Sequence, residues 1–344
     1  MSIEKKIRDS FLYRVKHYYE KIAEHYWHLV NMILTSDKRD TRHKKILFIY
    51  APVWGKWHID TFFKYTLPSL MQSGNLPAIS KDKKIVINFY TKDNDIFLID
   101  SMMKEVSCTY DYNINSESNF NDDTRGMMVN FLIHILDICV KENGLMLLAQ
   151  PDLIYSNNSV KNLVDLSNGK GVSIAVPHPR VSYECIKEVD FFDSPSHNEV
   201  SSESLVKIAL SCKHKAFELS DELLDINSTV DGISTHKIDE LHMGVVHNLP
   251  SVYLFSPIKD DISYFKRRTT FNYIDTAWPS MLFRQSRLKV IASSKIAFVV
   301  ELTKDADKRP RTLPNMKYND QYLSSNKSFC NYSNVIINSW DSFQ

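Results

Sequence analysis

The chain has 344 residues with a formal net charge of +1, 43% hydrophobic and 12% aromatic residues. That is enough apolar material for one large domain, and it excludes a collagen-like or low-complexity chain. The near-neutral charge does not favour a nucleic-acid partner, although residues 1–45 carry 11 Lys/Arg against 6 Asp/Glu.

Eight glycines are few for this length, where roughly 7% is usual. They form neither a GxGxxG nor a Walker-type loop, so a nucleotide here must be held another way, for instance by a metal or by basic side chains. The five cysteines, Cys108, Cys139, Cys185, Cys212 and Cys330, are odd in number and contain no CxxC pair. This argues against a disulfide framework and for a reducing, cytoplasmic setting. No apolar run reaches 18 residues and no signal peptide is visible, so no membrane span is expected.

From the N-terminus, Ile3, Ile7, Phe11, Val15, Tyr18, Ile22, Tyr26, Leu29 and Ile33 recur at helical spacing and predict one amphipathic helix over 3–34. Its apolar stripe suits packing on the domain or a homodimer. Its Lys, Trp and Tyr content leaves peripheral membrane contact as the minority alternative. A charged linker follows, from Ser36 to Lys45. Lys45–Pro52 is a short apolar run suited to a buried strand. Ile59–Met71 reads as a helix, closed by Gly74 and Pro77. Lys84–Tyr90 is a second strand, Thr124–Glu142 a helix stopped by Gly144, and Leu145–Ala149 a third buried strand. Ser159–Leu166 is a short helix and Val172–Val176 a fourth strand. Later, Ser201–Asp225 looks helical, and Val252–Phe255 and Ile296–Val300 are candidate strands.

Alternating strands and helices predict a mostly parallel sheet covered by helices. Ligands of such sheets bind at the carboxyl ends of the strands, here Ala51–Lys56, Thr91–Asp95, Gln150–Tyr155 and Pro177–Arg180.

Five groups near those ends or later in the chain could carry chemistry, each beside a plainer alternative. Asp152 sits past the third strand, where a carboxylate can hold a divalent cation bridging a diphosphate; it could equally be a turn Asp. Trp54 and Trp57 flank Gly55 and Lys56, with His58 and Asp60 following. The aromatics could stack a base or sugar and Lys56 could meet phosphate, or the pair is core. His242 and His247 are five apart, which is not a zincin pair, but one could complete a metal site with a distant Asp. Asp275, between Tyr273 and Trp278, could act as a base, with Trp278 stacking a sugar; an ordinary turn is the alternative. Pro177 and Pro179 stiffen the loop bearing Arg180, which could clamp a phosphate.

Three stretches together carry a resemblance: VWGKWHIDTFFKYTLPSLMQSGNLPAI (53–79), LLAQPDLIYSNNSVKNL (147–163), and HNLPSVYLFSP with FNYIDTAWP (247–257 and 271–279). They resemble a group of bacterial glycosyltransferase-like proteins of the GT-A, nucleotide-diphospho-sugar transferase type. In that family the first stretch reads like WGxxYxxxFxxxxLPSLLxxGNLPAL.

The resemblance implies a GT-A-like Rossmann-type α/β domain over 45–303, preceded by a helical extension (1–44) and followed by a C-terminal tail (304–344). It implies transfer of a sugar from a nucleotide-sugar donor to a hydroxyl acceptor. Trp54, Lys56, Asp60, Asp152 and Arg180 would bind the donor. Asp275 would be the base and Trp278 would meet the acceptor. Asp152 and His247 would hold Mn²⁺ or Mg²⁺. Where the family has the first acid of a D-x-D motif, this chain has Gln150. Lys56 or Arg180 could then neutralise the leaving diphosphate in place of the metal. Non-catalytic sugar-nucleotide binding and sugar transfer to a DNA base are the alternative functions.

Overall fold

The structure is a computed structural model that describes residues 43–106, 108–117, 124–189, 199–214, 233–237, 242–247, 251–266, 282, 285–291, 293–307 and 334–338. Contacts divide the chain into Met1–Thr41 and Arg42–Gln344, and all described residues lie in the second unit. The expected N-terminal helix, Asp275 and Trp278 therefore fall outside the described residues.

The first strand, β1 (Ile46–Pro52), is apolar almost throughout because helices cover both its faces. Leu47, Ile49 and Ala51 point into one core, and Phe48 and Tyr50 into the other. Three short helical pieces follow, α1 (Lys56–Thr61), a π-helical turn (Phe62–Thr66) and α2 (Leu67–Leu70), then α3 (Leu76–Ile79). Strand β2 (Lys84–Lys92) repeats the two-sided pattern, with Ile85, Ile87 and Phe89 in the first core and Val86 and Tyr90 in the second. Helix α4 (Ile96–Glu105) leads to β3 (Asp111–Glu117), and α5 (Thr124–Lys141) to β4 (Leu145–Leu148).

Next come β5 (Leu153–Tyr155), α6 (Ser159–Ser167), β6 (Ser173–Ala175), β7 (Arg180–Ser182), α7 (Tyr183–Glu188) and α8 (Ser202–Ser211). The remaining elements are β8 (Ile233–Lys237), β9 (His242–His247), β10 (Val252–Phe255), α9 (Lys259–Lys266), β11 (Leu288–Val290), β12 (Val299–Thr303) and β13 (Asn334–Asn338).

The central sheet runs β11-β6-β10-β4-β1-β2-β3. Strand β10 is antiparallel to β4 and β6, while the other neighbours pair in parallel. This is the mostly parallel α/β sheet flanked by helices that is expected from the sequence. Helices α1, α2, α4 and α6 bury Ile59, Leu67, Ile99 and Leu163 against one face; α5 and α9 bury Phe131, Ile135, Ile262 and Phe265 against the other. A small sheet, β5-β12-β7, is covered by α7 and α8 through Ile186, Leu205 and Val206. Strands β13, β9 and β8 form a third sheet.

Helix α4 and strand β3 lie where no element is expected from the sequence. Strand β3 (DYNINSE) sits at the end of the sheet, so its polar residues need not be buried and no apolar run marks it. The strand expected at Ile296–Val300 is shifted to Val299–Thr303 by its pairing with β5 and β7. The helix expected over Ser201–Asp225 is α8, which ends at Ser211. It is followed by Cys212 at the C-cap, and residues from 215 lie outside the description.

The cysteine expectation is corrected at one pair. Cys185 in α7 and Cys212 are bonded, with Cα atoms 5.5 Å apart, inside the span a bridge can close. An odd count excludes full pairing, not a single bridge; Cys108 and Cys139 are free.

The antiparallel strand is anchored by a buried ion pair. Arg287 donates from Nη1 to Asp261 Oδ1 (2.9 Å) and from Nη2 to Oδ2 (2.8 Å), and Nη2 also meets the Ser256 carbonyl at 3.0 Å. Asp261 is fully buried and also accepts from the Ile258 amide. Removing the guanidinium alone strands a buried carboxylate. Arg287→Met is expected to lower unfolding free energy by about 3–5 kcal/mol, measured by urea denaturation.

Candidate functional site

The chain steps from β1 outward to β2 and β3, then returns to the other side of β1 as β4. The carboxyl ends of β1 and β4 therefore border the point where strand order reverses, the usual crevice for ligands in such sheets. Tyr50 is in register with Leu148, and the Ala149 amide donates to the Tyr50 carbonyl at 2.8 Å. Two residues on, Trp54 and Gln150-Pro151-Asp152 leave neighbouring parallel strands at the same edge.

The β1 loop is tied down at Gly55. Its φ of 76° lies in the left-handed region where a side chain is strained, and its N–H donates to Asp95 Oδ2 at 2.7 Å. This joins the loop after β1 to the one after β2. Trp54 is half-buried against the α5-side core.

The β4 loop is fixed through its backbone. Thr66, at the end of the π turn, donates to the Pro151 carbonyl at 2.9 Å. The Leu302 amide donates to the Asp152 carbonyl at 2.7 Å, which starts the pairing of β5 with β12. The half-buried Asp152 carboxylate acts electrostatically on two buried phenols, Tyr155 and Tyr253. Burial, more than this charge, raises both well above the ordinary tyrosine range.

The loop after β6 brings the remaining groups. His178 is buried between Tyr253, whose hydroxyl is 2.6 Å from Nδ1, and Glu301, whose Oε2 is 2.9 Å from Nε2. Arg180 Nη2 lies 3.0 Å from Glu301 Oε1 across the parallel β7–β12 pair. The structure thus links Arg180, Glu301, His178 and Tyr253 by direct contacts, with the charge of Asp152 acting on Tyr253; Trp54 packs on the α5-side core.

The other expected residues stand differently. Lys56 and Asp60 pair with each other at 3.0 Å on the exposed face of α1; their role toward a donor remains an expectation. It is Trp57, not Lys56, that turns toward the small sheet. Its ring meets Tyr183 edge-on at 5.5 Å and carries Lys304 Nζ 4.3 Å above its centre. His247 belongs to β9 by its backbone, opposite Ile233, and its side chain lies outside the description. Among the described residues, no group of three or more His, Cys, Asp or Glu side chains comes together to hold a metal. No helix among them is long and apolar enough to cross a membrane.

His178, Glu301 and Tyr253 were not singled out by the sequence. Two signals were present. His178 lies between the prolines that stiffen the Arg180 loop, and Glu301 is a single acid within the apolar run IAFVVEL. A groove of about 830 Å³ also opens along β3, lined by Asn88, Asn113, Asn115, Asp93, Asp100 and Phe97, away from the β4 and β6 ends.

No family model matches the sequence, and no curated protein is detectably similar to it. Among solved structures, the chain is similar to the crystal structure of 4-diphosphocytidyl-2C-methyl-D-erythritol synthase from Anaerococcus prevotii DSM 20548. The identity is 10% and the TM-score 0.38, over 82% of this chain and 99% of that one.

One group next to Trp54 gives a pH dependence. His58 has its pKa held below its ordinary 6.5, first by burial and then by the positive charge of Lys304; a hydrogen bond to the Trp54 backbone opposes this. With the folded value below the unfolded one, the unfolded chain takes up the proton first on acidification. The stabilisation is complete above about pH 6.5 and is lost as pH falls toward and through the folded value. Urea midpoints of wild type should therefore fall more steeply between pH 7.5 and 5 than those of His58→Gln.

Proposed function

We propose that the protein is a glycosyltransferase that takes its sugar from a nucleotide-diphosphate donor. The observation that supports this is the placement of Trp54 and Asp152 just past the ends of adjacent parallel strands at the switch point, with Arg180 in β7 of the small sheet that the Asp152 segment enters. An aromatic face, a carboxylate and a guanidinium on segments that leave these strand ends suit a base or sugar ring, a metal-bridged diphosphate and a phosphate oxygen in turn.

In the reaction, the acceptor hydroxyl oxygen bonds to the anomeric carbon as the bond to the diphosphate oxygen breaks. The nucleoside diphosphate leaves with the electron pair, and the hydroxyl proton passes to a base, for which Asp275 is the candidate. Arg180 neutralises charge as it develops on the leaving group. Trp54 orients the donor, and the backbone ties at Gly55 and Pro151 keep both loops in place without reorganisation.

The donor set suits a divalent cation only sparingly. Asp152 brings one carboxylate, Gln150 none, and Glu301 is engaged by Arg180 and His178. A magnesium ion commonly uses one or two carboxylates and takes its other ligands from phosphate and water, so Asp152 would hold it together with the donor. Such an ion would supply charge stabilisation at the diphosphate.

Donor binding is tested by a thermal-shift screen of UDP-, GDP-, CDP- and dTDP-sugars. A ligand at 100 times its dissociation constant should stabilise by about 2.7 kcal/mol. Asp152→Ala should abolish both the shift and Mn²⁺-supported donor hydrolysis while leaving the far-UV spectrum unchanged. Binding without turnover would point to a non-catalytic sugar-nucleotide binder, the reading favoured by Gln150. No shift with any donor would remove the proposal.

A further inference from the structure

Glu301 is the one charged residue of β12, and its carboxylate accepts on two sides. Oε1 lies 3.0 Å from Arg180 Nη2 and Oε2 lies 2.9 Å from His178 Nε2. Beyond the imidazole, Nδ1 is 2.6 Å from the Tyr253 hydroxyl. His178 is 1% exposed, Tyr253 0% and Arg180 9%.

The direction of these bonds follows from the chemistry of the groups. Tyr253 is fully buried and keeps its proton, so it donates to Nδ1. Nε2 then carries the ring hydrogen and donates to Glu301, which also accepts from Arg180. Asp152 and Tyr155 complete the set of ionisable groups acting on Tyr253.

A buried ion pair is weak evidence of a stabilising role, because apolar residues of similar volume often serve as well. This one sits beside the strand ends where ligands of such sheets bind. We infer that Glu301 is a positioning residue of the proposed site, fixing the guanidinium of Arg180 and the tautomer of His178 in one arrangement beside the segment that carries Asp152. The inference rests on the sugar-transfer reading above and adds a residue that does not itself touch the donor.

An amide makes the test discriminating. A carboxylate accepts from both partners, whereas the amide of Glu301→Gln presents one oxygen and one NH₂ group, so with its oxygen toward Arg180 it turns NH₂ toward His178 Nε2, which accepts only in the other tautomer. Glu301→Asp keeps two acceptors and is the second variant should the first fail to fold.

Three readouts apply to the full chain: donor turnover, circular dichroism, and the imidazole ¹⁵N–¹H spectrum, with the His178 signal assigned by its loss in His178→Gln. Support consists of an Nε2–H tautomer in wild type, a fall of at least tenfold in kcat/KM for Glu301→Gln carried mainly by kcat, a fold unchanged by circular dichroism, and partial recovery in Glu301→Asp. Wild-type kcat/KM in Glu301→Gln, or an Nδ1–H tautomer in wild-type His178, overturns the positioning role. A wild-type protein that neither binds nor turns over any donor, whatever its imidazole spectrum, instead overturns the reading beneath it.

Discussion

Strand β1 pairs in parallel with β2 on one side and β4 on the other, and the rest of the site follows from that double pairing. It requires β1 to be apolar on both faces, which Leu47, Ile49 and Ala51 and, opposite them, Phe48 and Tyr50 supply. It puts the return of the chain, through α5, on the far side of β1 from β2 and β3. The loops after β1 and β4 are left with no neighbour between them, and they carry Trp54 and Asp152. The switch point is thus a product of strand order.

Two small devices keep those loops from wandering. Gly55 takes a backbone conformation that lets its N–H reach Asp95. Thr66 closes the π turn by donating to the carbonyl of Pro151. A π turn widens a helix by one residue and is often found at functional sites. Here it delivers a hydroxyl to the segment preceding Asp152. The small sheet continues the restraint, since the Asp152 carbonyl accepts the amide of Leu302, next to Glu301.

The parallel core was legible because buried central strands are short apolar runs, and ILFIYAP, IVINFY and LMLL admit no other reading once helices are placed between them. Strand β3 was illegible for the opposite reason: at a sheet end, a polar strand such as DYNINSE incurs no burial cost and leaves no periodic trace. The candidate site was half legible. Asp152, Trp54 and Arg180 could be placed from the strand ends. The partners of Arg180 and His178 come from β12 and β10, more than seventy residues further along the chain, and no local pattern links them. The Cys185–Cys212 bridge belongs with these: the separation of 27 residues says nothing until α7 and α8 are seen side by side.

Among the described residues no strand pairs with the outer side of β3, and this bears on how copies of this protein meet one another. A terminal strand offers hydrogen-bonding groups to any extended chain that approaches. Laid antiparallel on its own copy about Ile114, β3 would set Asp111 against Glu117 at both ends of the ladder, acid facing acid. Like charges directly opposite disfavour such a ladder. Crowding of identical molecules along this margin is therefore self-limiting, while a strand with basic ends would meet no such repulsion.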